Sequence, residues 1–101
     1  MKIVLTKYAR ENLTKILKYI EDNWSVLDRK NFVNNLDNML NIISDHPYLC
    51  VESKIFPGIR RCTLSKQNSL YYKINNDKII VLMIYDNRQN PDDIQKELNL
   101  N

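Results

Sequence analysis

Glycine occupies one position in 101 and histidine one. A single glycine, Gly58, cannot build a phosphate-cradling loop, a dinucleotide-binding fingerprint or a strained nucleophile turn. A single histidine, His46, rules out a pair of histidines sharing acid and base roles. With only two cysteines, scattered from it and from each other, it also makes no convincing zinc site. Three prolines and one glycine leave no long flexible linker. No apolar run reaches the roughly 18 residues that a membrane-spanning helix needs. Met1-Lys2-Ile3-Val4-Leu5 is too short an apolar stretch for a signal peptide, so the expected location is the cytoplasm. Cys50 and Cys62 lack CxxC or Cys–His spacing. They are expected to be small, buried, reduced side chains, with a disulfide or a metal site as the lesser reading.

What is present suits one packed unit over residues 1–101. Hydrophobic residues make up 44% of the chain, well above a disordered composition. The net charge of +3 is mild, but its placement is uneven. Between Ser53 and Lys73 stand Lys54, Arg60, Arg61, Lys66 and Lys73, with no acid. Such a stretch can attract phosphates or an acidic protein segment. It can equally be a solvated sheet edge guarded by lysines.

The apolar pattern changes period along the chain. Met1–Leu5 reads as a short strand. Thr6 is placed to cap a helix carrying Ala9, Leu13, Ile16, Leu17, Ile20 and Trp24 on one stripe. Ser25 with Asp28 resembles a capping box and opens a second helix, whose stripe is Phe32, Val33, Leu36, Met39, Leu40 and Ile43. Asp45-His46-Pro47 ends it, because the residue before proline avoids the helical region. The asparagines at 31, 34, 35, 38 and 41 fall between apolar positions and read as a solvated face. With almost no linker, the two helices form an antiparallel hairpin. After Pro57-Gly58, strands are expected at 59–64, 68–74 and 78–85, with a possible edge strand within 52–56. The turn Asn75-Asn76-Asp77 joins the last two. The run from Ile79 to Ile84 is apolar on both faces, as in an interior strand. Asn90-Pro91-Asp92-Asp93 starts a short final helix over 91–98. The layout is α+β, β-α-α-β-β-β(-α): an antiparallel sheet with the helical hairpin on one face.

Few residues could carry chemistry. Arg60 and Arg61 are neighbours on one strand and point to opposite faces. Arg88 follows the interior strand, in a loop where function often sits, or pairs with Asp86, Asp92 or Asp93. Tyr71, Tyr72 and Tyr85 could stack on bases or donate a phenolic hydroxyl, but at least one of the adjacent Tyr71 and Tyr72 belongs to the core.

The order and spacing of several short motifs resemble the RelE/ParE superfamily of type II toxin–antitoxin toxins, of the plasmid stabilisation type, over nearly all of the chain. They are Ala9, Leu13 and Tyr19-Ile20; His46-Pro47; Pro57-Gly58-Ile59-Arg60; Leu70-Tyr71-Tyr72-Lys73-Ile74; and Ile84-Tyr85-Asp86-Asn87-Arg88-Gln89-Asn90-Pro91. The resemblance implies a bacterial toxin neutralised by a cognate antitoxin that wraps it, with no cofactor and no metal. Apolar surface reserved for the antitoxin could support a homodimer in its absence. Two mechanisms fall within the superfamily. ParE-like members bind DNA gyrase and are not nucleases. RelE-like members cleave mRNA on the ribosome with basic groups and a Tyr or His. In the second case the catalytic set would be Arg60, Arg61, Lys66, Tyr85 and Arg88. Several positions depart from that pattern: Cys62, Ser69 and Ile94 stand where basic or tyrosine residues are expected, and no histidine ends the last strand. These departures favour the ParE-like mechanism. A degenerate, non-toxic member that still pairs with an antitoxin is a third outcome.

Overall fold

Local side-chain chemistry sets the first elements. β1 (Lys2–Leu5) runs into α1 (Lys7–Asn23), and Thr6 between them is the N-cap. Its hydroxyl accepts from the Ala9 amide at 3.1 Å, satisfying one of the free donors of the first turn. Ser25 opens α2 (Val26–Asp45) with a complete capping box. Its hydroxyl accepts from the Asp28 amide at 3.1 Å, and the Asp28 carboxylate accepts from the Ser25 amide at 3.0 Å. Those Ser25 bonds, the backbone one first and the hydroxyl second, hold the Asp28 carboxyl below its usual range. His46 caps the other end of α2, just ahead of Pro47. Trp24 departs from the expected stripe. Its amide caps α1 on the Ile20 carbonyl at 2.8 Å, and its side chain is 47% exposed.

The computed structural model describes residues 1–87; the expected final helix over 91–98 and Arg88 lie outside the described residues. Four further strands follow the hairpin: β2 (Val51–Glu52), β3 (Arg60–Thr63), β4 (Asn68–Asn75) and β5 (Lys78–Asp86). The sheet order is β1-β5-β4-β3-β2, so the apolar β5 is flanked on both sides. Asn75 pairs with Lys78 across a two-residue turn, and Asn76 takes the left-handed conformation that asparagine tolerates, φ 57°. β2 to β5 pair antiparallel, as expected. β1 does not: it lies parallel to β5, Ile3 opposite Ile79. Parallel neighbours need a long crossover, and here the crossover is everything from α1 to β4.

Each face of the sheet carries its own apolar cluster. The helical hairpin brings Ala9, Ile20, Phe32, Leu36 and Ile43 onto Cys62, Leu70, Tyr72, Ile79, Val81 and Ile84. The other face gathers Phe56, Tyr71, Met83 and Tyr85, with Tyr8 and Ile59 at the margin. Adjacent Tyr71 and Tyr72 therefore serve different clusters, and both are buried. A bulge interrupts the β4–β5 register: Tyr71 faces Met83 but Tyr72 faces Val81, leaving Leu82 unmatched. No helix among the described residues is long and apolar enough to cross a membrane.

The expectation of free cysteines is corrected. Cys50 and Cys62 form a disulfide with Cα atoms 5.4 Å apart. The register explains it. Val51 faces Arg61 and Glu52 faces Arg60, so one step further sets position 50 across from 62. Two cysteines directly opposite on neighbouring strands are within bridging distance. Spacing along the chain carries no trace of that register.

Candidate functional site

The β3–β4 turn meets the end of β5 through Asn87. The Asn87 amide donates to the Gln67 carbonyl at 2.7 Å, and its side-chain NH2 donates to the Lys66 carbonyl at 3.1 Å. Its side-chain oxygen accepts from the Ser69 hydroxyl at 2.7 Å and from the Arg61 guanidinium at 3.3 Å. The turn is tightened from within, since the Ser65 hydroxyl accepts from the Gln67 and Asn68 amides, both at 3.2 Å. Asn87 thus fixes one strand end to another and holds a cation at the margin of the face opposite the helices.

That face is aromatic. Tyr71 packs edge-on against Phe56 at 6.3 Å between centroids and against Tyr85 at 6.0 Å. Burial pushes the Tyr71 hydroxyl above its ordinary pKa, and the Arg61 charge offsets part of that rise. Tyr71 is 5% exposed and Tyr85 4%. A cleft of about 310 Å³ opens beside them, lined by Lys54, Arg61, Thr63, Glu52 and the buried Tyr71 with Val51 and Ile55. It places two cations and a hydroxyl next to exposed aliphatic side chains, and its one carboxylate, Glu52, accepts from the Gly58 amide at 3.1 Å. That mixture suits carboxylates or phosphates of a partner.

The expected residues do not all gather there. Arg61 is exposed on this face, and the exposed Lys66 side chain sits in the adjoining turn. Tyr85 lies in the aromatic cluster. Arg60 leaves β3 on the helix side. Its guanidinium donates to the Cys50 carbonyl at 2.7 Å and the Tyr48 carbonyl at 3.4 Å, and lies 5.0 Å over the Tyr48 ring. It anchors the chain between α2 and β2. His46 caps the end of α2 through its backbone amide, which donates to the Ile42 carbonyl at 2.8 Å.

Sequence reasoning missed Asn87 and the fully buried Ser69 as organisers of this corner. The signal was faint: an Asp-Asn pair at a strand end, and a serine where the superfamily pattern suggests arginine.

The chain matches the family model described as the ParE toxin of type II toxin–antitoxin system, parDE, over residues 3–91. No curated protein matches significantly. Similar solved structures include the chromosomal ParDE toxin–antitoxin system from P. aeruginosa, 17% identical, covering 85% of this chain and 95% of that one, TM-score 0.72. A YoeB/ParE toxin from Agrobacterium tumefaciens is 10% identical over 85% and 98% of the chains, TM-score 0.62. A YoeB dimer from Staphylococcus aureus is 18% identical over 82% and 92%, TM-score 0.58. At these identities the likeness is one of fold: a helical hairpin on a five-stranded, mostly antiparallel sheet. The family model spans most of the chain, which therefore belongs to the ParE toxin family of type II toxin–antitoxin systems.

Proposed function

We propose that this chain arrests growth in the bacterial cytoplasm by binding a cellular target, DNA gyrase being the one its family affiliation suggests, and that a cognate antitoxin neutralises it. The observation that carries this reading is the separation of Arg60 from Arg61. Cleaving RNA needs cations and a proton acceptor converging where a ribose and phosphate can sit. Here Arg60 is held on the helix side by two backbone carbonyls, while Arg61 lies across the sheet with Asn87. The phenols nearest Arg61 are buried. Exposed aliphatic side chains at Val51 and Ile55 beside Lys54 and Arg61 suit an acidic antitoxin segment instead. In the antitoxin's absence the same exposed apolar surface would favour a homodimer.

The test is pulse-labelling during controlled expression in bacteria, following thymidine and leucine incorporation over the first minutes. Thymidine incorporation falling first is the expected result. Leucine incorporation collapsing first would transfer the reading to ribosome-dependent mRNA cleavage. No fall in either would mark a non-toxic member.

A further inference from the structure

The Cys50–Cys62 disulfide sits behind the cleft that holds Lys54 and Arg61. Cys62 points into the core under the helical hairpin, and Cys50 packs against that same core. Neighbouring Arg61 and Thr63 alternate to the other face and line the cleft. The facing wall is one segment, Val51 through Ile55, and it lies inside the loop that the disulfide closes. Few bonds tie this segment to the sheet. β2 is two residues long, stands at the sheet edge and leaves both side chains exposed. The next bonds stay within the loop: the Ser53 amide donates to the Ile59 carbonyl at 2.7 Å, and the Gly58 amide to the Glu52 carboxylate at 3.1 Å. Phe56, edge-on to Tyr71, gives the segment its hold on the aromatic cluster. The disulfide is the covalent tie between this thinly held wall and the body of the sheet.

The two half-cystines differ in access. Cys62 is 2% exposed, whereas Cys50 is partly buried, just ahead of β2. A thiolate arriving from solvent therefore meets Cys50 first. The Arg60 guanidinium donates to the Cys50 carbonyl at 2.7 Å. A fixed positive charge thus stands beside the residue under attack and favours its thiolate on release. Disulfides of cytoplasmic proteins are mostly transient, catalytic or redox-sensing. This one, in the compartment proposed above, fastens the wall of a binding cleft from its far side.

We propose that Cys50 and Cys62 form a reversible thiol–disulfide exchange site, opened by a dithiol reductant, whose reduction releases the 51–55 wall and weakens binding of an acidic partner segment at the cleft. The inference deepens the proposed function by naming a regulation of its binding cleft, and it rests on that reading. In the exchange, one thiolate of the reductant bonds to the Cys50 sulfur and the Cys50–Cys62 bond breaks. Cys62 leaves with the electron pair and takes up a proton. The second thiolate of the reductant then displaces the Cys50 sulfur, which is protonated in turn. Two electrons and two protons pass to the chain, and the reductant ends as a disulfide. A partner that prefers the disulfide form resists its reduction by the same factor.

Dithiothreitol is the dithiol for the test, and a short peptide alternating glutamate and leucine is the binding probe. Dithiothreitol is expected to reduce the folded chain, so that alkylation and mass spectrometry find both cysteines tagged. Hydrogen exchange of the amides between 51 and 59 is expected to rise about tenfold or more on reduction, while β4 and β5 keep their protection. The peptide is expected to bind the disulfide form about tenfold more tightly, and to shift the dithiothreitol equilibrium by that same factor. Cys50→Ser with Cys62→Ser is expected to bind as the reduced chain does and to ignore dithiothreitol. Four results would overturn the proposal: a disulfide that opens only after unfolding, exchange between 51 and 59 unchanged by reduction, loss of protection in β4 and β5 as well, or equal peptide affinity in both forms. A peptide that binds neither form overturns the acidic-segment reading of the cleft and the coupling built on it, and the exchange data still decide whether the wall moves. Growth arrest is not the readout, so failure of the proposed target leaves these results standing.

Discussion

Thr6 and Leu82 are joined by one hydrogen bond across 76 residues of chain, the Thr6 hydroxyl donating to the Leu82 carbonyl at 3.0 Å. Leu82 is the residue left over by the β4–β5 bulge, so a carbonyl freed by the irregularity meets the cap of the first helix. The same hydroxyl accepts from the Ala9 amide. Thr6→Ala removes both bonds and is expected to cost about 1–2 kcal/mol, whereas Thr6→Ser retains them and costs much less. Urea denaturation of the two variants measures the difference.

The Cys50–Cys62 disulfide closes the loop that carries β2 and Phe56. Its reduction releases the unfolded chain from that constraint. On the chain-entropy account a loop of this size contributes about 3 kcal/mol. Thermal unfolding with and without a phosphine reductant is expected to show a lower midpoint in the reduced form. An unchanged midpoint would mean that the β2–β3 pairing holds the loop without help.

Tyr71 and Tyr72 make stability fall at alkaline pH. Burial raises both phenols above their ordinary value, with Arg61 and Arg60 respectively offsetting part of the rise. Above the unfolded value near pH 10, the unfolded chain loses these protons while the folded one keeps them. Their contribution is therefore complete below about pH 10 and is lost as pH climbs through the folded values. Tyr72 also donates to the Pro47 carbonyl at 2.6 Å. Tyr72→Phe is expected to cost about 1 kcal/mol at neutral pH and to flatten the alkaline decline.

Arg60 and Arg61 are expected to separate stability from binding. Arg60→Ala strips a charged donor from the Cys50 carbonyl and is expected to destabilise by about 1.5–3 kcal/mol. Arg61→Ala, at an exposed side chain, is expected to stay within about 0.5 kcal/mol of the parent while weakening antitoxin binding. Equilibrium unfolding and titration with the antitoxin check the two halves. A ribonuclease would instead need both arginines for activity.

Features written in neighbouring residues were legible. Thr6, the Ser25–Asp28 box, the stop at Pro47 and the Asn75–Asp77 turn each follow from side chains a few positions apart, and each is where the pattern puts it. The apolar stripes of both helices were equally plain, apart from Trp24 at the end of the first. What needed the third dimension was missed. The parallel seat of β1, the disulfide, the bulge at Leu82 and the Asn87 junction all depend on which strands become neighbours. The asparagines at 31 and 35 were legible as polar but not as the lining of a cleft shared with Trp24, which joins residues of both helices and the β3–β4 turn. Arg60 shows the same limit: alternation predicted opposite faces for the two arginines, but not the carbonyls that claim one of them.

The parallel seat of β1 also sets the order of events during synthesis. Among the described strands β1 pairs with β5 alone, with Lys2 through Leu5 opposite Lys78 through Val81. α1 likewise rests on β5. While the chain is being translated, β1 and α1 have no floor to fold onto until β5 follows. A message broken anywhere upstream of β5 would yield fragments with neither sheet nor docking surfaces. The docking surfaces therefore arise together, once β5 has been made.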